Sequence, residues 1–259
     1  MPKCCQTGRI LFLTLCCLLM PAIQGHSQTL EDRRQDTAEA IVQRFMSIVA
    51  YDALPHDSIL FIRSHVVSRH APHDTCVILR WFAWPHDRRI EVWQHDTLVE
   101  AYHNRGLTRF RKLDSQTHQW IDASHIHYDD MTIGYDYRGP LYNRHTNGCH
   151  MLFDGVYLFN GHPVKKISVS MPESYDREYL FEKESGLLFM VIEKNTSFGQ
   201  DKMDEDRHID WRAYDEYLPV GQSLIVSKEC YQHHGTVTFV THYPELIPLD
   251  KLIFENDQR

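Results

Sequence analysis

The chain predicts an α+β domain in which one amphipathic helix precedes a long antiparallel β-sheet. Three observations carry this. Apolar residues recur at helical spacing between Asp36 and Ala50. Beyond Ala50 the period changes to two, and segments rich in Val, Ile, Phe and Trp alternate with turns bearing Pro, Gly, Asn and Asp. Nothing in the 259 residues reads as an interdomain linker, so a single domain over residues 28–259 is the economical organisation.

Residues 1–27 read as a secretory signal peptide. Lys3 and Arg9 precede an apolar run from Ile10 to Met20, and Pro21 with small or polar residues follows. That run is too short to span a bilayer, which takes about 20 apolar residues. Cleavage is expected after Gly25 or Ser27, giving a periplasmic or otherwise exported protein with no transmembrane span in the mature chain. Acylation is not expected, because Cys16 follows Leu15 and Cys17 follows Cys16 rather than a small residue. Removing residues 1–27 takes two cations and no acid, so the net charge falls from -8 to -10. A nucleic-acid partner, which needs clustered Lys and Arg, does not fit that balance. Cys76, Cys149 and Cys230 are the cysteines left, an odd number and no disulfide framework.

The helix spans Asp36–Ala50, with Ala40, Ile41, Phe45, Ile48 and Val49 on one broad face. Asp36 is its expected cap and Glu39 the partner in a capping box. Four strand-like segments follow: "SILFIRSHVVSRH", "CVILRWFAW", "RIEVWQH" and "TLVEAYHN". Pro55-His56-Asp57, Pro72-His73-Asp74, Pro85-His86-Asp87 and Gln94-His95-Asp96 punctuate them as turns of a meander. Residues 113–150 are polar and aromatic, and are expected to be a long excursion of short helices or irregular turns, such as often acts as a flap. Strands resume with a hairpin at Asn160-Gly161, a second near Glu184-Ser185-Gly186, and two or three more with His234-Gly235 at a turn.

Some of these strands are apolar on both faces. In "CVILRWFAW", Val77, Leu79 and Trp81 share one parity, while Ile78, Phe82 and Trp84 share the other with only Arg80 among them. The hairpin "YDREYLFEKESGLLFMVIEKN" has the same property, with Phe181, Leu188 and Val191 expected inside. An antiparallel sheet with one wet face would be polar at alternate residues, so both faces must be covered.

In order along the chain, "NGHPVKKISVS", "YLFEKESGLLFMV", "WRAYDEYLPVGQSLIVS" and "LDKLIFEND", preceded by a helix and a meander, resemble the LolA/LolB-like superfamily of periplasmic lipoprotein carriers. The matching segments are Asn160–Val164, Phe181–Leu188, Tyr214–Gly221 and Leu249–Phe254. The resemblance implies a single curved antiparallel sheet, an incomplete barrel, with helices on its concave side and an apolar cavity between. It implies a non-catalytic carrier of a lipid or lipoprotein acyl chain, closed by the helix and part of the excursion. Phe45, Phe61, Trp81, Trp93 and Phe189 are the expected lining residues. An envelope protein–protein module, using the curved sheet for a partner, is the alternative.

Enzymatic motifs do not emerge. "GQSLI" lacks the second glycine of a nucleophile elbow, and no phosphate-binding glycine loop or HExxH is present. Cys149-His150 could be read as nucleophile and base, but adjacent side chains point apart. No cofactor is expected. Metal binding is a second alternative: His125 and His127 lie at i, i+2, one face of a strand, and His145, Cys149 and His150 share the excursion. Without strict ligand spacing, solvated histidines are the simpler account.

Overall fold

The computed structural model describes residues 24–25, 37–83, 87–105, 109–114, 116–122, 141–142, 148–170, 176–194, 210–233 and 235–249. Of the signal-like residues 1–27 only Gln24 and Gly25 are among these, and His125, His127 and His145 lie outside them.

The chain pairs first as β1 (Gln24–Gly25), then forms helix α1 (Ala38–Val49) and a short 3-10 turn at Tyr51–Ala53. The helix cap is Thr37, not Asp36: the Thr37 hydroxyl accepts from the Ala40 amide at 3.2 Å. Glu39 stands in the first turn, where the helix dipole favours an acid. Ala50 closes the helix in the left-handed conformation, φ 48°, and its amide returns to the Met46 carbonyl at 2.9 Å.

The meander follows as expected: β2 (Ser58–Ser68), β3 (Thr75–Ala83), β4 (Asp87–Gln94) and β5 (Thr97–Arg105), each antiparallel to the next. Both turn residues His95 and Asp96 have positive φ, the geometry whose twist matches a hairpin. The excursion departs from expectation at its start, where β6 (Arg109–Leu113) and β7 (Trp120–Asp122) form another hairpin. The Asp114 carboxylate organises that turn by accepting from the Gln116 and Thr117 amides at 3.1 and 2.7 Å.

Then come β8 (His150–Phe159), β9 (His162–Ser170), β10 (Asp176–Glu182), β11 (Leu188–Lys194), β12 (Asp210–Val220), β13 (Ser223–His233) and β14 (Thr236–Pro248). Asn160 and Gly161 make the predicted two-residue turn, both with positive φ. The described strands form one sheet in the order β1-β8-β9-β10-β11-β12-β13-β14-β2-β3-β4-β5-β6-β7. Its two ends do not pair with each other, so the sheet is not closed into a barrel. Two steps join strands distant in sequence, β1 against β8 and, more extensively, β14 against β2, from Thr238↔Ser68 to Pro248↔Ser58.

Helix α1 lies on one face of this sheet, and alternation assigns the rest. Ile41, Val42, Phe45 and Val49 share a core with Leu60 and Ile62 of β2, Phe82 of β3, Ile167 and Val169 of β9, Tyr179 and Phe181 of β10, Leu188 and Val191 of β11 and Ile225 of β13. Leu141, from the excursion, joins that core, and the neighbouring Tyr142 hydroxyl donates to Asp52. Phe181, Leu188 and Val191 therefore face the interior as the sequence predicts.

The opposite parity is apolar too. Val164, Leu180 and Met190 form a second cluster with Tyr157, Phe159, Phe189 and Trp211, and Ile59 and Ala83 a third with Trp81 and Ile247. The hairpin that is apolar on both faces thus divides between the helix core and a separate patch behind it. Its turn is docked to the helix: Arg44 donates to the Glu184 carbonyl at 2.6 Å. A Cβ on Gly186, which has φ 77°, would lie 2.9 Å from Arg44 Nε and 3.0 Å from Ile48 Cδ1.

Candidate functional site

The helix covers only part of its sheet face. Across β9 to β13 one row of facing residues runs Ile167, Tyr179, Val191, Arg212 and Tyr231. At the near end Tyr179 and Val191 are buried in the helix core, and Phe45 meets Phe181 edge to face at 5.5 Å. At the far end Arg212 keeps 45% of its side chain open while its guanidinium lies 5.4 Å over the Tyr231 ring. The face therefore passes from sealed and apolar to open and polar.

Tyrosines mark the boundary. Burial pushes the Tyr179 hydroxyl up to about 12, and it drives Tyr214 and Tyr217 upward as well. Each stays a neutral donor at ordinary pH; the Tyr217 hydroxyl donates to the Leu188 carbonyl at 2.9 Å.

Beyond them lies a chain of polar side chains. Arg80 Nη1 donates to Ser64 Oγ at 2.7 Å, Ser64 Oγ meets His242 Nδ1 at 2.7 Å, and His242 Nε2 meets Glu229 Oε1 at 3.4 Å. Arg212 Nη1 closes it on Glu229 Oε2 at 3.9 Å. A guanidinium can only donate, so Ser64 accepts from Arg80, while the direction of its contact with Nδ1 is set by the protonation of the His242 ring. Burial acts to raise the Glu229 carboxyl, but Arg212, His242 and Arg80 outweigh it and hold the group at about 2.

Ser64, His242 and Glu229 have the residue types of a serine hydrolase, yet the arrangement is structural. Ser64 is fully enclosed, at 0% exposure. Its oxygen accepts from a cation, which withdraws electron density from the would-be nucleophile. It sits mid-strand in β2, where both neighbours, β14 and β3, are paired, so the ladder occupies the amides an oxyanion hole would need.

The five residues expected to line a cavity do not come together. Phe45 is on the helix face. Phe61 alternates with Leu60 and Ile62 and packs 5.2 Å from Trp81 on the opposite face. Trp93 is there too, its indole donating to Glu91 at 3.0 Å beside Arg89, which lies over Trp81. A bulge beside Phe181 leaves Phe189 without a cross-strand partner and turns it into the patch with Leu180 and Met190. The physical reason is parity: one residue's shift exchanges the faces of a strand that is apolar on both.

His150 is exposed at the start of β8. Among the described residues no group of three or more His, Cys, Asp or Glu is placed to hold a metal. Two of the turns bearing His-Asp meet: His95 Nε2 lies 3.4 Å from Asp74 at one end of the meander, in an exposed setting. Among the described residues, Cys76, Cys149 and Cys230 form no disulfide with one another.

Ser64, Arg80, Arg212, Glu229 and His242 were not singled out by sequence. A local signal existed: Arg212 and Tyr214 share a parity, as do Ser227, Glu229 and Tyr231. No spacing rule could have joined Ser64 to His242, which stand 178 residues apart.

No protein-family model matches the chain, and no curated protein matches it in sequence. Solved structures do. A LolA superfamily protein from Nitrosomonas europaea superposes with a TM-score of 0.57 at 12% identity, covering 86% of this chain and 100% of that one. A DUF1329 family protein from Desulfovibrio piger gives 0.56 at 12% identity over 85% and 98% of the two chains. A putative outer membrane lipoprotein-sorting protein domain from Vibrio parahaemolyticus gives 0.55 at 10% identity over 85% and 98%. With its open antiparallel sheet and its helix on one face, the chain has a LolA/LolB-like fold.

Proposed function

We propose that this is an exported envelope protein that carries a lipid or lipoprotein acyl chain on the helix face of its sheet and performs no chemistry on it. In this reading the sheet curls around α1, which occupies its concave side. The support is geometric. The helix touches both β8 and β13, five strand spacings apart in the sheet. That is about 24 Å on a flat sheet, whereas a helix of 12 residues is about 18 Å long and 10 Å wide.

The observation that carries the function is the graded helix face. Tyr179, Phe181, Leu188 and Val191 form an apolar floor under helix α1, which packs on it through Phe45. The floor continues outward to open aromatic and cationic side chains. Displacing one 12-residue helix would uncover a continuous apolar strip. An acyl chain laid there gains about 0.8 kcal/mol per methylene removed from water. Leu141 and Tyr142 are placed to help close it. The likeness to a structure described as a lipoprotein-sorting domain supports the same cargo class. The signal-like residues 1–27 support export, and among the described residues no helix is long and apolar enough to cross a membrane.

The test is native mass spectrometry of the exported protein with lipid extraction. The proposal expects a one-to-one adduct that dissociates intact and unmodified. A protein with no lipid adduct and no saturable binding of a fluorescent fatty acid would refute it. A second reading, an envelope protein–protein module, is favoured by one observation: Tyr243 is 55% exposed on the opposite face of β14, the face that also exposes Phe239, and lies against His65 at 5.4 Å.

A further inference from the structure

The open end of the helix face carries more polar capacity than its own contacts use. Arg212 engages Glu229 through one nitrogen at 3.9 Å, and among the described residues no other acid lies within salt-bridge distance of it. A guanidinium has five N–H donors. Arg177, on the same face of β10, pairs with Glu193 at 3.1 Å through Nη2, while its buried Nε has no hydrogen-bond partner among the described residues. Ser227, between Ile225 and Glu229 on that face of β13, is 3% exposed, and its Oγ is likewise without a partner. Buried donors of this kind are uncommon in folded proteins, and each needs a reason.

The two arginines are close. Arg177 is in register with Glu193, Glu193 with Asp210, and Arg212 is two residues along from Asp210. Two strand spacings and a two-residue offset put the two arginine backbones about 12 Å apart, so side chains of this length can converge on one small group. The charge favours an anion. From β9 to β14 with β2 and β3, the helix face holds Arg80, Lys165, Arg177 and Arg212 against Glu193, Asp210 and Glu229, in a chain of net charge -8. Asp210 is already engaged by His233 at 2.9 Å.

We infer that this end is a head-group site, in which Arg212 and Arg177 bind the oxyanion head, a carboxylate or a phosphate, of the amphiphile whose acyl chain lies under α1. The inference rests on the carrier reading above. The tyrosines at the boundary mark where the chain ends and the head begins. Glu193 and Glu229 already hold the guanidinium groups in place, so the arginines need not reorganise on binding.

The experiment compares three probes with one hexadecanoyl chain and different heads: the fatty acid, the lysophosphatidate and the neutral monoacylglycerol. Affinities are measured for the exported protein by displacement of a fluorescent fatty acid. At least one anionic probe should bind about tenfold or more tightly than the neutral one, as expected for one charge-assisted hydrogen-bonded contact. Whichever anion binds more tightly identifies the head. Arg212→Gln and Arg177→Gln should each reduce that preference, the anionic probe losing more affinity than the monoacylglycerol. Arg212→Lys should restore part of it, and Arg63→Gln, on the opposite face, should change nothing.

Equal binding of all three probes by the wild type would overturn the head-group site while leaving the carrier reading intact. So would a preference that survives in a double Arg177→Gln, Arg212→Gln variant. Binding of none would overturn both. The wild-type comparison needs no variant, so a misfolded substitution cannot shelter the proposal.

Discussion

Replacing Glu229 by glutamine should remove a pH-dependent part of the protein's stability, and its size follows from the site. The carboxyl is held at about 2 against an ordinary value of 4.5, and its side chain is almost fully enclosed. A group held below its unfolded value stabilises the fold above that value and loses its contribution as pH falls toward the folded one. The window is therefore pH 4.5 down to about 2. The difference corresponds to roughly 3 kcal/mol at pH 7, and roughly half of that should remain at pH 3.

Glutamine has nearly the shape of a protonated glutamate and cannot ionise. It leaves Arg212 without its anion and His242 with a weaker acceptor. Urea denaturation of wild type and Glu229→Gln at a series of pH values between 7 and 3 measures the difference. It should be largest at neutral pH and shrink on acidification, because the other acids titrate alike in both proteins. A difference that is constant with pH would refute the reasoning, since Glu229 would then act through packing and not through its charge.

Other perturbations test the packing and the faces. Leu188→Asp places an unpaired charge beneath α1 and should cost several kcal/mol in denaturant unfolding. Gly186→Ala combines positive φ with a collision against Arg44 and Ile48, and should lower stability by about 1–3 kcal/mol, read as a fall in melting temperature. Phe45→Ala should cost about 3–5 kcal/mol and weaken fatty-acid binding, whereas a charge at Trp81 should spare binding. Zinc or chelator added to the metal-free protein should leave the melting temperature unchanged; stabilisation of about 3 kcal/mol at a hundredfold excess over the dissociation constant would reveal a site including His125, His127, His145 or His150.

Much of the fold was legible because its signals are local. Apolar spacing located α1, two-residue periodicity located β2 to β5, and Asn160-Gly161 fixed the β8–β9 turn. The short strand β7 was missed, since Trp120–Asp122 offers three residues of pattern within a polar stretch. The faces were not legible. Where Leu79 and Trp81 alternate with Ile78 and Phe82, neither parity is polar enough to name the wet side. The helix selects one parity through Phe45 and Ile41, which is a tertiary event. The polar chain was hidden for a related reason. Ser64 and His242 become neighbours only when β14 pairs with β2, and Glu229 only when β13 pairs with β14.

The central claim is that the helix face, and not the opposite face, holds an acyl chain. Photocrosslinking with a fatty acid carrying a diazirine at the chain end, followed by peptide mapping, tests it most directly. The account predicts saturable labelling of α1, β10 and β11 at residues such as Phe45, Phe181 and Leu188, abolished by excess unlabelled fatty acid. Labelling confined to Phe61, Trp81 and Trp93, or labelling that never saturates, would contradict it.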